Sequence, residues 1–341
     1  MIWIISINII LFGCGDSTKA NTDSVPWDSA VLDSADSADT ADMVVLEEVD
    51  ADGDGYPAWN STRNFEIADC DDADPTVTPW TERWIPKGYF YQGQNNAPFT
   101  SPQIEVYVSS YCIDIYEVTN QEFVDFMMEQ KALGLNNQTR DGKPLFDFED
   151  MDDIFPERIL RNGQGFVSSI GYENHPVTEV WKWSADAFCG YYGKKLPTEA
   201  EWEKAARGPD KNTFPWGEEQ PNCTIANFGT PTSQCVGDTM PVGSYPLGVS
   251  PYGVFDMAGN VSEFVSDWFQ AEYYSQSPLI DPQGPETGYY NDGQGNEFVA
   301  IIAKSGNHAT SAQELQSSFR TPEPETATSN GVGFRCARAL E

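Results

Sequence analysis

The run Tyr252-Gly253-Val254-Phe255-Asp256-Met257-Ala258-Gly259-Asn260-Val261-Ser262-Glu263-Phe264 constrains the fold more than any other stretch of this chain. It places a tight turn between two carboxylates, Asp256 and Glu263. Three further segments stand in order with it: Ile113-Asp114-Ile115-Tyr116-Glu117-Val118-Thr119-Asn120, Lys195-Leu196-Pro197-Thr198-Glu199-Ala200-Glu201-Trp202-Glu203 and Gly333-Phe334-Arg335-Cys336-Ala337. Aromatic residues make up 13% of the chain and are scattered through Gly- and Pro-rich sequence. That pattern suits a compact, loop-rich fold better than a helical bundle or a repeat array. A length of 341 residues allows one sizeable core plus accessory segments.

The formal charge of -34 excludes nucleic acid as a partner, because the phosphate backbone would repel the chain. Much of the excess lies before residue 80, leaving a more ordinary body behind it. At the N-terminus, the apolar stretch Ile2 to Phe12 ends in Leu11-Phe12-Gly13-Cys14. It resembles a bacterial lipoprotein signal (residues 1–14), in which Cys14 is lipidated and becomes the mature N-terminus. The stretch is too short to span a bilayer, so contact with the membrane is expected through the lipid anchor only. The expected location is the cell envelope, after export. Residues 15–49 carry an imperfect repeat, Asp28-Ser29-Ala30, Asp33-Ser34-Ala35, Asp36-Ser37-Ala38 and Asp39-Thr40-Ala41. Such a segment buries too little apolar surface to offset its ordering entropy and reads as a disordered acidic tether.

Residues 50–79 differ from the tether. Asp50-Ala51-Asp52-Gly53-Asp54-Gly55-Tyr56 sets carboxylates at alternate positions before Gly, the start of an EF-hand type calcium loop, although its twelfth position is Ser61. A second cluster follows at Asp69-Cys70-Asp71-Asp72-Ala73-Asp74-Pro75. The pair is similar to thrombospondin calcium repeats. Hard carboxylate oxygens without His or Met favour calcium over copper. Both clusters, with Asp50, Asp52, Asp54, Asp69, Asp71, Asp72 and Asp74 as ligands, are therefore candidate calcium sites.

The body, residues 83–341, opens with a strand near Trp84–Phe90, and Tyr107 to Ile115 alternates like another. Thr119-Asn120-Gln121-Glu122 predicts a capping box that starts a helix with Phe123, Phe126 and Met127 on one face. A second helix is expected from Ser184 to Gly193, and a third after the capping box Thr198-Glu199-Ala200-Glu201. Beyond Gly208 the sequence reads as short strands, turns and loops. Besides Cys14 there are six cysteines, Cys70, Cys112, Cys189, Cys223, Cys235 and Cys336, with no CxxC pair. An even number in an exported protein points to disulfides, not to zinc or thioredoxin-like chemistry. Cys223 and Cys235 flank a short loop with Pro and Gly and are expected to pair locally.

The four segments together resemble the sulfatase-modifying factor family, whose best-known members are the formylglycine-generating enzymes, over roughly residues 83–340. The resemblance implies an α+β, loop-rich formylglycine-generating-enzyme-like fold related to C-type lectins. It also implies a structural calcium held by the side chains of Asp256 and Glu263 and the carbonyls of Gly259 and Val261. A second implied site uses Asn227 and the carbonyl of Phe228, with Asp238 the nearest acid. The family's disulfide maps to Cys189 and Cys336, which leaves Cys70 and Cys112 to each other; a second family disulfide maps to Ala206 and Ser318, where both cysteines are missing.

The enzymes of the family hold Cu(I) between two cysteines in a segment ending with the Arg that matches Arg320. In this chain those cysteines fall near His308 and Gln313, the aromatic beside the metal matches Ser262, and no Cys lies between Cys235 and Cys336. One imidazole and one amide do not reproduce a thiolate copper site. The expectation is a non-catalytic, calcium-stabilised binding or scaffolding domain, with residues 128–170 and 270–300 long enough to form a recognition surface for an envelope protein, peptide or glycan. The competing reading is an oxidase of the formylglycine-generating type, or a divergent enzyme of that family.

Overall fold

A computed structural model describes residues 50–58, 68–71, 73–79, 81–149, 157–230, 232–291, 293–295 and 297–340. Cys14, the tether and Asp72 lie outside the described residues. Short strands alternate with turns from the start: β1 (Glu82–Ile85), β2 (Gly88–Gln92), β3 (Ile104–Val108) and β4 (Tyr111–Asp114) precede helix α1 (Asn120–Ala132). The hairpin β5 (Ile159–Asn162) and β6 (Gly165–Ser168) leads to α2 (Lys182–Tyr191) and α3 (Glu199–Arg207). Then come β7 (Gly229–Thr230), β8 (Ser233–Gln234), β9 (Ser262–Trp268), β10 (Tyr290–Asn291), β11 (Glu297–Phe298), β12 (Ala300–Lys304), β13 (Arg320–Pro324), β14 (Val332–Phe334) and β15 (Ala337–Ala339).

The central sheet has the order β13-β12-β9-β14, with β14 parallel to β9 and the other pairs antiparallel. Successive residues of a strand face opposite sides, and the cores follow that rule. Ile301, Ala303, Phe264 and Phe334 join Phe123, Phe126 and Met127 of α1 and Phe188 of α2 in one core. Ala300, Ile302 and Val265 join Trp202, Ala205 and Ala206 of α3 in the other. The sheet is thus covered on both faces. Burying a large apolar side chain contributes about 1.5–3 kcal/mol, so the fully buried Phe123, Phe126, Trp202 and Phe334 are principal contributors.

Both expected capping boxes form. Thr119 accepts from the Glu122 N–H while Glu122 accepts from the Thr119 N–H, and Thr198 and Glu201 repeat the exchange. The second helix differs from expectation: it starts at Lys182 with Trp181 at its cap and no side-chain cap bond. Ser184 lies inside it, and its hydroxyl donates to the Pro144 carbonyl at 3.2 Å. The stretch Tyr107–Ile115, expected as one strand, is broken at Ser109-Ser110 into β3 and β4, which pair with β2 and with β1 and β15 respectively. The architecture is the expected loop-rich α+β fold.

Cys189–Cys336 ties α2 to the turn between β14 and β15, and Cys223–Cys235 closes a local loop. Cys70–Cys112 joins the Asp-rich segment to β4. Arg338 of β15 adds an ion pair to Asp71 at 2.8 Å, and Val77 packs beside that disulfide.

Candidate metal centre

The turn between Val254 and β9 is held by backbone in the left-handed region at Asp256 (φ 56°), Gly259 (φ 84°) and Asn260 (φ 62°). Asp256 and Asn260 bear that conformation at a cost that surrounding contacts must offset. At Gly259 a side chain has no room, since a Cβ would come within 2.5 Å of the Asn227 carbonyl oxygen. The Asn260 N–H donates to that same carbonyl at 2.8 Å. The two sequence-implied calcium sites, one on residues 256–263 and the other on Asn227 and Phe228, are therefore in direct contact.

Each candidate ligand has a definite environment. Asp256 is buried, and its Oδ2 accepts from the Gly243 N–H at 2.6 Å. Glu263 is fully buried; it takes Arg335 Nε and Nη2 at 2.7 Å each and Trp202 Nε1 at 2.8 Å. Both Glu263 oxygens are thus committed to protein donors. Asn227, 1% exposed, donates to the Asp238 carbonyl at 2.8 Å, while its buried Oδ1 has no hydrogen-bond partner. The Phe228 carbonyl accepts from the Cys235 N–H at 2.9 Å. Asp238 is engaged by the Arg158 guanidinium, by the Tyr172 hydroxyl at 2.7 Å and by the Thr239 N–H at 2.7 Å.

Sequence reasoning missed Glu117. It is buried against the turn of residues 256–263, accepting from Asn260 Nδ2 at 2.7 Å and from the Val261 N–H at 3.2 Å. Its signal was available: a lone carboxylate within the apolar run Ile115-Tyr116-Glu117-Val118. Burial, followed by the charges of Asp256 and Glu263, pushes its carboxyl well above the usual range. Burial likewise pushes Asp256 up to about 6, against the opposing effects of the Gly243 N–H and Arg335. Three buried carboxylates here share one buried guanidinium, Arg335, whose own charge is reinforced by Glu263. Such an excess of buried negative charge favours either protonation or a cation. The unsatisfied Asn227 Oδ1 and the carboxylates suit a hard oxygen-seeking cation.

In the Asp-rich segment, carboxylate oxygens of Asp50, Asp52 and Asp54 converge to within 4.8 Å of one another. Their other contacts are local: Asp50 accepts from the N–H groups of Gly53 and Gly55, and Asp54 from that of Tyr56. The described carboxylates of the second cluster have separate partners. Asp71 pairs with Arg338, Asp74 accepts from the Thr76 hydroxyl at 2.7 Å, and Asp69 accepts from the Asp71 N–H at 3.0 Å.

The positions matching the copper site hold no thiol. His308 is buried with Nδ1 3.2 Å from the Asn260 carbonyl, and burial lowers its pKa. Gln313 is exposed on a 3-10 turn, Ala312–Leu315. Ser262 accepts from Asn307 Nδ2 at 3.4 Å. Every cysteine among the described residues is in a disulfide. These residues do not fit copper.

The segments that build this centre belong to a recognised domain family. Residues 72–340 match the family model described as the sulfatase-modifying factor enzyme 1-like domain, and the chain belongs to that family. It is 32% identical over 262 residues to the serine/threonine-protein kinase pkn1 of Chlamydia caviae, covering 76% of this chain but only 38% of that protein. It is 32% identical over 295 residues to the formylglycine-generating enzyme of Thermomonospora curvata, covering 74% of this chain and 91% of that enzyme. Among solved structures, PvdO from Pseudomonas aeruginosa aligns with a TM-score of 0.55 at 22% identity, covering 76% of this chain and 94% of that one. That likeness is one of fold.

Proposed function

We propose that this chain is a non-catalytic, calcium-stabilised binding or scaffolding domain of the sulfatase-modifying factor family, exported and held at the cell envelope by a lipid on Cys14. The observation that carries this reading is the state of the cysteines. All six in the described body are paired, and the positions matching the copper ligands hold a buried imidazole and an exposed amide. Formylglycine formation needs two thiolates to hold Cu(I), and this segment offers none.

Calcium at the turn of residues 256–263 is supported by the buried excess of carboxylate and by the unsatisfied Asn227 oxygen. Asp256 and the carbonyls of Gly259 and Val261 would hold it, and Asn227 with the carbonyl of Phe228 would hold a second ion beside it. Glu263, committed to Arg335, would contribute charge more than a free oxygen. The convergent Asp50, Asp52 and Asp54 would form a further calcium locus, outside the two at the turn. The partner is an envelope protein, peptide or glycan, and the membrane is reached through the lipid alone. The kinase named among the relatives is mostly chain that has no counterpart here, so its activity is not carried over.

The test is conversion of a sulfatase-motif peptide, read by mass spectrometry as loss of the cysteine and gain of an aldehyde. No conversion is expected, with or without added copper. Turnover by the wild-type chain would overturn the reading in favour of the competing one, an oxidase of the formylglycine-generating type or a divergent enzyme of that family.

A further inference from the structure

A cavity of about 580 Å³ opens between the end of α1, the loop that follows it and the turn of the β5–β6 hairpin. Its charge is opposite to that of the chain. Lys131 and Arg161 line it, and no Asp or Glu among the described residues does, although the chain has 53 acidic residues against 19 basic ones. Cations elsewhere stand against acids, as Arg335 does on Glu263, Lys304 on Glu203 and Lys194 on Asp114. Here they do not. The exposed Arg161 guanidinium lies 3.8 Å from the centre of the Phe148 ring and meets no carboxylate among the described residues. Lys131 Nζ donates to the Gln164 carbonyl, an uncharged partner.

The walls are fixed by bonds that leave their outward groups free. Asn137 grips Phe146 at both ends of its carboxamide, with Nδ2 donating to the carbonyl at 2.8 Å and Oδ1 accepting from the N–H at 2.9 Å. Thr139 closes the same loop: its N–H donates to the Lys143 carbonyl at 2.8 Å, and its hydroxyl accepts from the Lys143 N–H at 3.0 Å. Across the cavity, Asn162 Oδ1 accepts from the Gln164 and Gly165 N–H groups at 2.8 and 2.9 Å and shapes the hairpin turn. The turn is pressed on α1 so closely that a Cβ at Gly165 (φ 148°) would collide with Met128 Sδ. Asn162 Nδ2 and the whole carboxamides of Asn136 and Gln138 remain exposed, with no bond among the described residues.

We propose that this cavity binds the acidic end of a glycan, a uronic-acid sugar. Arg161, with Lys131 on the same cavity, takes the carboxylate, whose geometry matches the planar donor array of a guanidinium. Asn136, Gln138 and Asn162 Nδ2 take the ring hydroxyls. A carboxamide offers a donor and an acceptor together, and a hydroxyl uses both. An inorganic anion would use the cations and leave the three amides idle. The volume lies within the range for ligand sites and admits a terminal sugar with its neighbour. This inference rests on the binding role proposed above and names the glycan as its ligand. It uses no residue of the segment that matches the copper site, so its failure is read separately from turnover of a sulfatase-motif peptide.

The experiment is calorimetric titration of the full chain with cellobiouronic acid and digalacturonic acid, each against its neutral parent, cellobiose or galabiose. No calcium is added, so that no uronate–calcium bridge contributes. At least one acid is expected to saturate a single site, with its parent roughly tenfold weaker, as loss of a charge-assisted bond implies. Arg161→Gln should remove that preference and bring the acid to the affinity of the parent. Gln138→Ala should weaken acid and parent alike, roughly fivefold for a lost neutral bond. Both side chains are exposed, so the melting temperature of the free protein should hold in each variant. The proposal is overturned if neither acid binds at millimolar concentration, if parent and acid bind equally, if inorganic phosphate displaces the acid at equal concentration, or if Arg161→Gln keeps the preference.

Discussion

Asp267 illustrates how much one side chain can hold in this interior. Its Oδ2 accepts from the Glu199 N–H at 2.8 Å, at the first turn of α3, and from the Ser266 hydroxyl at 3.1 Å. Burial, then the Glu199 charge, raises its pKa from 3.8 to about 7. A carboxyl with a raised folded pKa binds protons more tightly in the native state. Its contribution is fully present below the unfolded value and is lost as pH rises through the folded one. A shift of this size corresponds to about 4 kcal/mol at 1.36 kcal/mol for each unit. Asp267→Asn keeps an acceptor for the Glu199 N–H but cannot ionise. Denaturant unfolding from pH 4 to 8 should show a flatter loss of stability for the variant than for wild type; identical slopes would contradict the assignment. None of this was legible in the sequence, because Asp267 sits in an unexceptional strand and its meaning depends on where α3 begins in space. Arg335 was visible in the Gly-Phe-Arg-Cys motif, but its two bonds to Glu263 cross between β14 and β9 and needed the fold.

At the scale of elements, local chemistry was readable wherever the signal was local. The capping boxes of α1 and α3 involve residues three apart, and both helices begin where the boxes place them. Helix α2 has no side-chain cap, and Ser184, which has the residue type of one, lies inside the helix and not at its start. The pairing of Cys189 with Cys336, implied by family resemblance, spans 147 residues and is met in the structure; so is Cys70 with Cys112. The division of Tyr107–Ile115 into two strands was hidden because alternation continues across the break while the hydrogen-bond partners change. The α3 cap is open to a direct test. Thr198→Ala should lower stability by about 1 kcal/mol, measured as a shift of the denaturant midpoint at constant m-value. No shift would mean that packing of Trp202 alone determines where the helix starts.

At the scale of the whole molecule, the sequence resemblance identified the family and the loop-rich architecture, while the charge balance of the interior emerged only when Glu117, Asp256 and Glu263 were seen around one Arg335. A cation that binds only the folded state adds RT ln(1 + [L]/Kd), about 2.7 kcal/mol at a hundredfold excess over Kd. Thermal melts in calcium and in chelator should therefore differ for wild type. In Asp256→Ala the difference should shrink, and an unchanged chelator response in that variant would remove the turn of residues 256–263 as the site. The Cys70–Cys112 disulfide also has a mechanical consequence. It closes a covalent loop that contains β1, β2 and β3 and ends in β4, the middle strand of the sheet β1-β4-β15. Tension applied to the chain before Asp50 passes across the sulfur bridge into β4, so residues 71–111 lie off the load path and stay slack. Such a pull must overcome strand pairing on both sides of β4 together, where a chain without the bridge would give way by peeling β1 from the edge.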